Sequence, residues 1–191
     1  PGRGYTVAQD VRRRVSNTLA ATGHTEVLSY PFFDEETNNL FGSATAETVP
    51  QVRLANALDA TQGWMRTSLL PGLIGTAARN RSRGLTDLAL FETGLVFLPE
   101  EGKTYGQDIV AGGVRPAPEV EAKLYAGIPP QPRHISGLFV GDAVSKQVGQ
   151  KAVAYDWQDA LAAVQLGVER HDAPVHLRAA AAVADHRVHL V

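Results

Sequence analysis

The chain of 191 residues contains no cysteine. This absence excludes disulfide frameworks, thiolate metal ligands and cysteine nucleophiles, and it fits a reducing compartment. No apolar run approaches the roughly 20 residues that a membrane helix needs. The polar opening Pro1-Gly2-Arg3-Gly4 does not resemble a signal peptide. We therefore expect a cytoplasmic protein without a membrane partner.

The chain also lacks an excess of charge of either sign. Its 18 basic and 20 acidic residues leave a formal charge of -2. Such a balance gives no general attraction for nucleic acid or for a membrane surface, so any basic contact must be local. The hydrophobic fraction of 44% in 191 residues is enough for a proper core. We expect one domain over residues 1–191.

Motifs for phosphate, metal or acyl chemistry are missing as well. The sequence has no Gly-rich phosphate loop, no H-E-x-x-H and no G-x-S-x-G. Its histidines do not pair with carboxylates at a convincing ligand spacing. We predict no catalytic residue, no cofactor site and no metal site. The six histidines are His24, His134, His171, His176, His186 and His189.

The first helix is predicted over residues 7–22. Thr6 and Gln9 have the spacing of a capping box, and Gly23 stands where a left-handed C-cap is favoured. An apolar stripe at four-residue spacing supports the helix. The stripe consists of Val11, Val15 and Leu19.

Strands and turns are expected after this helix. Residues 26–33 are β-prone, with Pro31 as a break that suggests a bulge or an edge position. Asp34 is expected to cap a short helical turn. Residues 52–54 are a candidate short strand, and residues 56–59 a turn.

A second helix and the strongest strand follow. Ser68 is predicted as the helix N-cap, with Pro71 in the first turn. The helix should end in a basic stretch closed by Gly84, because cations suit the negative end of the helix dipole. Residues 87–98 are apolar on both faces, which predicts a central strand.

The later part of the chain is less regular. Residues 99–133 contain most of the prolines, and we expect a long excursion or hairpin there. Strands are predicted near 134–141, 174–183 and 186–191, and a helix over 156–166. The fold class that follows is α+β, with an antiparallel sheet flanked by helices.

Several blocks of the sequence resemble the bacterial phenylalanyl-tRNA synthetase beta subunit family. The resemblance covers residues 5–98, about half of the chain, and one departure is Ala57, where the family usually has proline. The matching blocks are W-M-R-T-S-L-L-P-G-L at 64–73 with Asn80, L-F-E-T-G-L-V-F at 90–97, G-H-T-E-V-L-S-Y-P-F at 23–32 and V-R-L-A-N-A-L at 52–58.

The resemblance implies a class II synthetase-like core domain within a longer beta subunit. Members of the family work as heterotetramers of two alpha and two beta subunits, which charge tRNA(Phe) using ATP and magnesium. The beta core packs against the catalytic alpha subunit. The expected partners are therefore the alpha subunit and, through the whole enzyme, tRNA(Phe), with no cofactor in this domain.

The resemblance also bears on catalysis. The catalytic subunit has a G-R-V-Y-R segment whose last arginine reaches the ATP phosphate, as a guanidinium can. The corresponding residues here are 94–98, and Leu98 cannot bind a phosphate. Residues 165–170 imitate a second class II motif, G-x-G-x-E-R, but Gly167 reads as a helix C-cap. A self-sufficient adenylating domain using Arg170 stays open as an alternative, as does a tRNA-binding module.

Arg66 and Glu92 are charged residues within the most apolar blocks. Alternation along the strand puts Glu92 on the same face as Leu90 and Val96. An unpaired buried ion costs several kcal/mol, so Glu92 needs an arginine or several backbone N–H groups. We predict an ion pair between Arg66 and Glu92 that is structural, with a ligand-binding role as the alternative.

The remaining candidates are basic and aromatic residues. Each has a plain structural interpretation: a solvated helix face, a helix end that complements the dipole, or a packing aromatic. The alternative is a contact with the alpha subunit or with tRNA. These residues are Arg12, Arg13, Arg14, Trp64, Arg79, Arg81 and Arg83.

Overall fold

A computed structural model describes residue 2 and residues 4–41, 49–106, 112–113 and 115–168. Helices and strands are mixed along the chain, and the fold is α+β. A 3-10 turn at Ala60–Gln62 accompanies the regular elements. These are α1 Val7–Ala21, β1 Thr25–Glu26, β2 Phe32–Phe33, α2 Glu35–Phe41, β3 Trp64–Met65, α3 Leu70–Arg81, β4 Leu88–Leu95, α4 Pro118–Ala126, β5 Arg133–Val140, β6 Asp142–Val144, β7 Val153–Ala154 and α5 Trp157–Val168.

The described residues form two compact units that interleave along the sequence. The first unit comprises Pro1–Tyr30, Leu69–Gly94 and His134–Val191. The second comprises Pro31–Ser68 and Leu95–Arg133. The single domain expected over residues 1–191 stays a prediction.

The first helix of the first unit is built as predicted. The Thr6 hydroxyl accepts a hydrogen bond from the Gln9 amide at 3.3 Å, and the Thr6 amide donates to the Gln9 side chain at 2.9 Å. These two bonds are a capping box, which satisfies amides that a helix start leaves open. Gly23 follows the helix with a φ of 91°, the left-handed conformation that glycine adopts without strain.

A three-stranded sheet in the order β1-β4-β5 forms the centre of the first unit. The prediction of a central strand is therefore confirmed for β4, where Leu90, Phe91 and Glu92 are consecutive buried residues. However, β1 pairs with β4 in parallel, Thr25 opposite Leu90. The expectation of an entirely antiparallel sheet is wrong at this edge, because the chain crosses over between the two strands instead of turning back directly.

Two apolar clusters involve β4. Leu90 packs in one of them and its neighbour Phe91 in the other, as alternation along a strand requires. Helix α3 supplies Leu73 and Ala77 to the first, and α1 supplies Val15 and Leu19 to the second. The buried members are Leu73, Ala77, Leu90, Leu138 and Val140 in one cluster, and Val15, Leu19 and Phe91 in the other.

Helix α3 begins one residue later than predicted. Its N-cap is Leu69, which makes no side-chain capping bond, so the assignment of Ser68 as N-cap is wrong. Pro71 lies within the first turn, where its missing amide hydrogen costs nothing, as expected. The helix ends at Arg81, and Gly84 follows with a φ of 90°.

The predicted strand over residues 26–33 is wrong as one element. It divides into β1 in the first unit and β2 in the second, where Phe32 pairs antiparallel with Met65 of β3. The candidate strand at 52–54 is reduced to a single bridge between Arg53 and Trp64.

Asp34 caps α2 as predicted, because its carboxylate accepts from the Thr37 amide at 2.7 Å. The same hydrogen bond holds the pKa of Asp34 below its ordinary value.

Other regions differ in detail. The stretch 99–133 contains α4, a helix without buried residues that the high proline and glycine content concealed. The strand near 134–141 is confirmed as β5, and the short pair β6 and β7 was not predicted. Helix α5 confirms the helix over 156–166, but it continues through Gly167, so the C-cap interpretation of that glycine is wrong. The predicted strands at 174–183 and 186–191 lie outside the described residues, as does Arg170.

Within the described part of the chain, no helix is both long and apolar enough to cross a membrane.

Candidate functional site

Glu92 lies in the middle of β4 and is completely buried. The Ser29 amide donates to one carboxylate oxygen at 3.3 Å, and the Ser29 hydroxyl donates a short hydrogen bond to the other. Donors of this kind are what a carboxylate needs when it leaves water. Ser29, a residue that the sequence did not reveal, thus supplies partners to Glu92, while the expected arginine or set of several backbone N–H groups stays a prediction.

Gly72 completes this arrangement from the first turn of α3. A Cβ atom at this position would overlap the Ser29 hydroxyl, lie 2.6 Å from the Ser29 Cβ and 3.5 Å from Glu92 Oε2. Only glycine therefore allows the start of α3 to approach so closely. The positive end of the helix dipole favours a carboxylate there. We call Ser29, Gly72 and Glu92 the Glu92 cluster.

Arg66 belongs to the second unit and is 5% exposed. Its side-chain Nε donates to the Leu95 carbonyl at 2.8 Å. Its backbone is also held, because the Arg66 amide donates to Pro31 and the Arg66 carbonyl accepts from Phe97, both at 2.9 Å. These bonds tie Arg66 into the second unit, and both its ion pair with Glu92 and its structural role stay predictions.

Asn38 is a buried polar residue that the sequence did not reveal. Its side-chain amide donates to the Met65 carbonyl at 3.0 Å and to Gln51 at 2.7 Å, and its oxygen accepts from the Thr67 amide at 3.3 Å. A fully buried amide with all these bonds fixes α2 against β3. The sequence block 64–73 contains its partners Met65 and Thr67, but nothing in that block indicates a polar partner 26 or more positions earlier.

Leu98 follows β4 in the second unit. It is 36% exposed, and its amide donates to the Pro130 carbonyl at 3.0 Å. The backbone is therefore engaged in the fold while the side chain is a hydrocarbon. Such a side chain offers a phosphate neither charge nor hydrogen-bond donors.

The basic face of α1 is partly neutralised within the chain. Arg14 forms an ion pair with Asp10 at 2.6 Å. Arg13 donates to the Tyr5 hydroxyl at 3.2 Å, and its guanidinium lies 5.4 Å from the centre of the Tyr5 ring. Arg12 is exposed. This distribution fits the solvated helix face, and the alternative contact of these arginines with the alpha subunit or tRNA stays a prediction.

Trp64 lies in β3 and is half-buried. The Arg53 guanidinium stacks 5.5 Å from the centre of a Trp64 ring, which is a cation–π distance. Trp64 thus packs against Arg53 within the second unit, and its contact with the alpha subunit or tRNA stays a prediction.

Arg79, Arg81 and Arg83 lie at the end of α3 and in the turn that follows, all exposed. The structure brings these three together on one short segment of the first unit. Among the described residues, no three histidine, aspartate or glutamate side chains converge as a metal site would require.

Asp87 ties the start of β4 to the segment after β5. Its carboxylate accepts from the Asp142 amide at 3.0 Å and from the Ser145 hydroxyl at 2.8 Å. These two donors hold the pKa of Asp87 below its ordinary value. Gly141 has a φ of 78°, and a Cβ there would lie 2.5 Å from Asp87 Oδ1, so the turn also depends on glycine.

The fold is similar to that of a solved aminoacyl-tRNA synthetase. A pyrrolysyl tRNA synthetase from Desulfitobacterium hafniense superimposes with a TM-score of 0.50 at 11% identity, over 85% of this chain and 46% of that one. At such low identity the likeness concerns the fold alone.

The family is defined by sequence. The model of the phenylalanyl tRNA synthetase beta chain CLM domain matches residues 1–187. The chain is 53% identical over 165 residues to the phenylalanine–tRNA ligase beta subunit of Leifsonia xyli, and 39% over 165 residues to that of Streptomyces avermitilis. Each alignment covers 86% of this chain and a fifth of the relative, 19% and 20% respectively. The chain therefore belongs to the phenylalanyl tRNA synthetase beta chain CLM domain family, as its sequence blocks predicted.

Proposed function

We propose that this chain is a non-catalytic core domain of a phenylalanine–tRNA ligase beta subunit, with a class II synthetase-like fold over residues 1–191. It packs on the catalytic alpha subunit in a heterotetramer that charges tRNA(Phe) in the cytoplasm. ATP and magnesium act in the whole enzyme, and none of the described residues of this chain holds them. Family membership and the synthetase-like fold support this assignment.

The observation that carries the proposal is the chemistry around β4. A class II site neutralises phosphate charge with arginines aimed at the triphosphate. Here the position that the family resemblance equates with the phosphate-binding arginine is Leu98, and the strand's buried carboxylate, Glu92, is bonded to Ser29. The core pattern of the strand is kept, while the position equated with the phosphate-binding arginine has a hydrocarbon side chain.

The proposal is tested by ATP–pyrophosphate exchange with phenylalanine. The chain alone should show no exchange above background. Added to the alpha subunit, it should co-elute with that subunit in size-exclusion chromatography, and exchange should appear only in the presence of alpha. Exchange by the chain alone would overturn the proposal and favour an adenylating domain that uses Arg170.

A tRNA-binding module is the other alternative. It would bind tRNA without the alpha subunit, with an affinity that falls steeply as salt rises. The exposed arginines Arg12, Arg79, Arg81 and Arg83 are the residues that could support such binding. Failure of the chain to associate with alpha, combined with salt-sensitive tRNA binding, would favour this alternative over a scaffold.

A further inference from the structure

The end of α3 carries an unusual concentration of unneutralised positive charge. Arg79, Arg81 and Arg83 are all exposed, and we call residues 79–85 the arginine turn. No aspartate or glutamate occurs between Asp59 and Asp87. The nearest carboxylate along the chain, Asp87, is occupied by Ser145 and by the Asp142 amide. In a chain of net charge -2, this segment is a local exception.

The fold does not use these arginines to close the helix. The last four residues of α3 have their carbonyls satisfied by other donors. The Ser82 amide donates to the Ala78 carbonyl, and the Ser82 hydroxyl donates to the Arg79 carbonyl. The Asn80 carbonyl accepts from the amides of Arg83 and Leu85, and the Arg81 carbonyl accepts from the Gly84 amide. The last carbonyls of a helix often accept hydrogen bonds from basic side chains, but here they accept from the residues of the turn.

The guanidinium groups are correspondingly available. Arg79 donates one hydrogen bond to the Thr76 hydroxyl at 3.0 Å. The side chains of Arg81 and Arg83 make no hydrogen bond or ion pair with any residue that the structure describes. The backbone beneath them is fixed by its own bonds and by Gly84 with a φ of 90°. Three arginines are thus displayed on a preorganised support.

The composition of the turn favours a nucleic-acid backbone as ligand. Asn80 and Ser82 lie between the arginines and Gly84 follows them, and all three are polar or small. Arginine side chains are among the groups that most often contact phosphates, whereas protein interfaces have an apolar or aromatic centre. Leu85 is the one large apolar side chain in this segment, at 54% exposure.

We infer that the arginine turn is a contact site for the phosphate backbone of RNA, and that in the assembled ligase it holds part of the bound tRNA. This inference rests on the proposed function. It adds to it a surface and a ligand: RNA phosphates, bound through charge and without base readout. Arg81 and Arg83 provide the main contacts, and Arg79 supports them.

The test uses the assembled ligase and a tRNA(Phe) transcript. In the R81Q/R83Q variant, the slope of log affinity against log salt should fall by about 1 for each arginine removed. The KM for tRNA should rise, while ATP–pyrophosphate exchange, which needs no tRNA, should stay unchanged. The R81K/R83K variant keeps the charge and should retain the salt slope.

A matched control removes two positive charges elsewhere in the same unit. Lys146 and Lys151 are exposed, and K146Q/K151Q should leave both the slope and the KM for tRNA unchanged. An unchanged slope in R81Q/R83Q would overturn the inference. Loss of alpha-subunit binding in that variant would overturn it too, by showing that the turn contacts protein. Absence of exchange in the unaltered ligase would instead refute the proposed function and is a separate result.

Discussion

At the scale of single residues, Gly72 lies where a larger side chain would overlap its neighbour Ser29. We expect Gly72→Ala to destabilise the fold by about 1–3 kcal/mol, the usual range for overpacking. The added methyl group would overlap Ser29 and press on the hydrogen bonds that Ser29 gives to Glu92. Urea unfolding followed by circular dichroism measures the change.

Gly75 provides the matched control within the same helix. Its added Cβ would meet only the end of the Arg79 side chain at 3.4 Å, which is flexible and can move away. Alanine is favoured over glycine in a helix by about 1 kcal/mol, so Gly75→Ala should be neutral or stabilising. Equal destabilisation by both substitutions would show that helix α3 does not tolerate alanine at either position. The loss of stability in Gly72→Ala would then not be due to the Glu92 cluster.

The lowered pKa of Asp87 predicts how the stability of the fold depends on pH. Its pKa lies below the ordinary value of 3.8, because the Asp142 amide and the Ser145 hydroxyl favour the charged carboxylate. The folded state therefore gains stability from this charge above the unfolded pKa, and loses it as pH falls through the lower folded pKa. The difference in unfolding free energy between wild type and Asp87→Asn should thus be constant near neutral pH and shrink below about pH 4.

The comparison with Asp87→Asn is needed because Asp34 and Asp59 also have lowered pKa values. Their contributions cancel in the difference between the two proteins. Ser145→Ala removes one of the two donors and should give a weaker version of the same pH effect. A difference that grows as the pH falls would contradict the assigned direction of the pKa shift.

At the scale of elements, the contact of α1 with the sheet is the best place to test the core. Leu19 is 6% exposed and packs with Val15 on Phe91. We expect Leu19→Ala to cost about 2–5 kcal/mol, through lost burial and the cavity that remains. Val7 on the same helix is 78% exposed, and Val7→Ala should change stability by less than about 0.5 kcal/mol. Thermal and urea unfolding would contradict this view of α1 if the two variants behaved alike.

Elements whose determinants are local could be predicted from the sequence. The start of α1 depends on Thr6 and Gln9, three residues apart, and its end on Gly23. Strand β4 carries its own signal, because apolar residues on both faces indicate a central strand. The Asp34 cap is local as well. In each case a few neighbouring side chains satisfy the backbone, so no tertiary information is required.

Elements that depend on distant partners were not predictable in the same way. Residues 26–33 look like one strand, yet β1 finds its partner in β4 and β2 finds its partner in β3. Helix α4 has no buried residue, so it lacks the apolar stripe that identifies a helix. Within the site, the need of Glu92 for donors was evident from its apolar block, but Ser29 lies 63 positions away.

At the scale of the whole molecule, sequence similarity and fold carry different information. The relatives are beta subunits about five times as long as the matched region, since that region covers 19% of the Leifsonia xyli protein. The solved synthetase shares the fold at 11% identity. A fold of this kind can be kept by its buried strand and helices while the residues that contact a substrate change. Function must therefore be argued from side chains such as Leu98.

Leu98→Arg tests whether one added arginine is enough to give the chain catalytic activity. It places a guanidinium at the position aligned with the phosphate-binding arginine of the catalytic subunit, and Leu98 is exposed enough, at 36%, to accept it without loss of the fold. We expect the variant to remain silent in ATP–pyrophosphate exchange, because catalysis requires several preorganised groups at once and one charge provides only part of the stabilisation. Leu58→Arg is the control, since Leu58 is fully exposed in the same unit.

Weak ATP binding by Leu98→Arg without exchange would agree with this expectation, since a single arginine can attract a phosphate without orienting it for attack. Exchange above background in Leu98→Arg but not in Leu58→Arg would contradict it. That result would mean that the remaining geometry of a synthetase site persists in the chain. The absence of catalysis would then depend on a single side chain, Leu98.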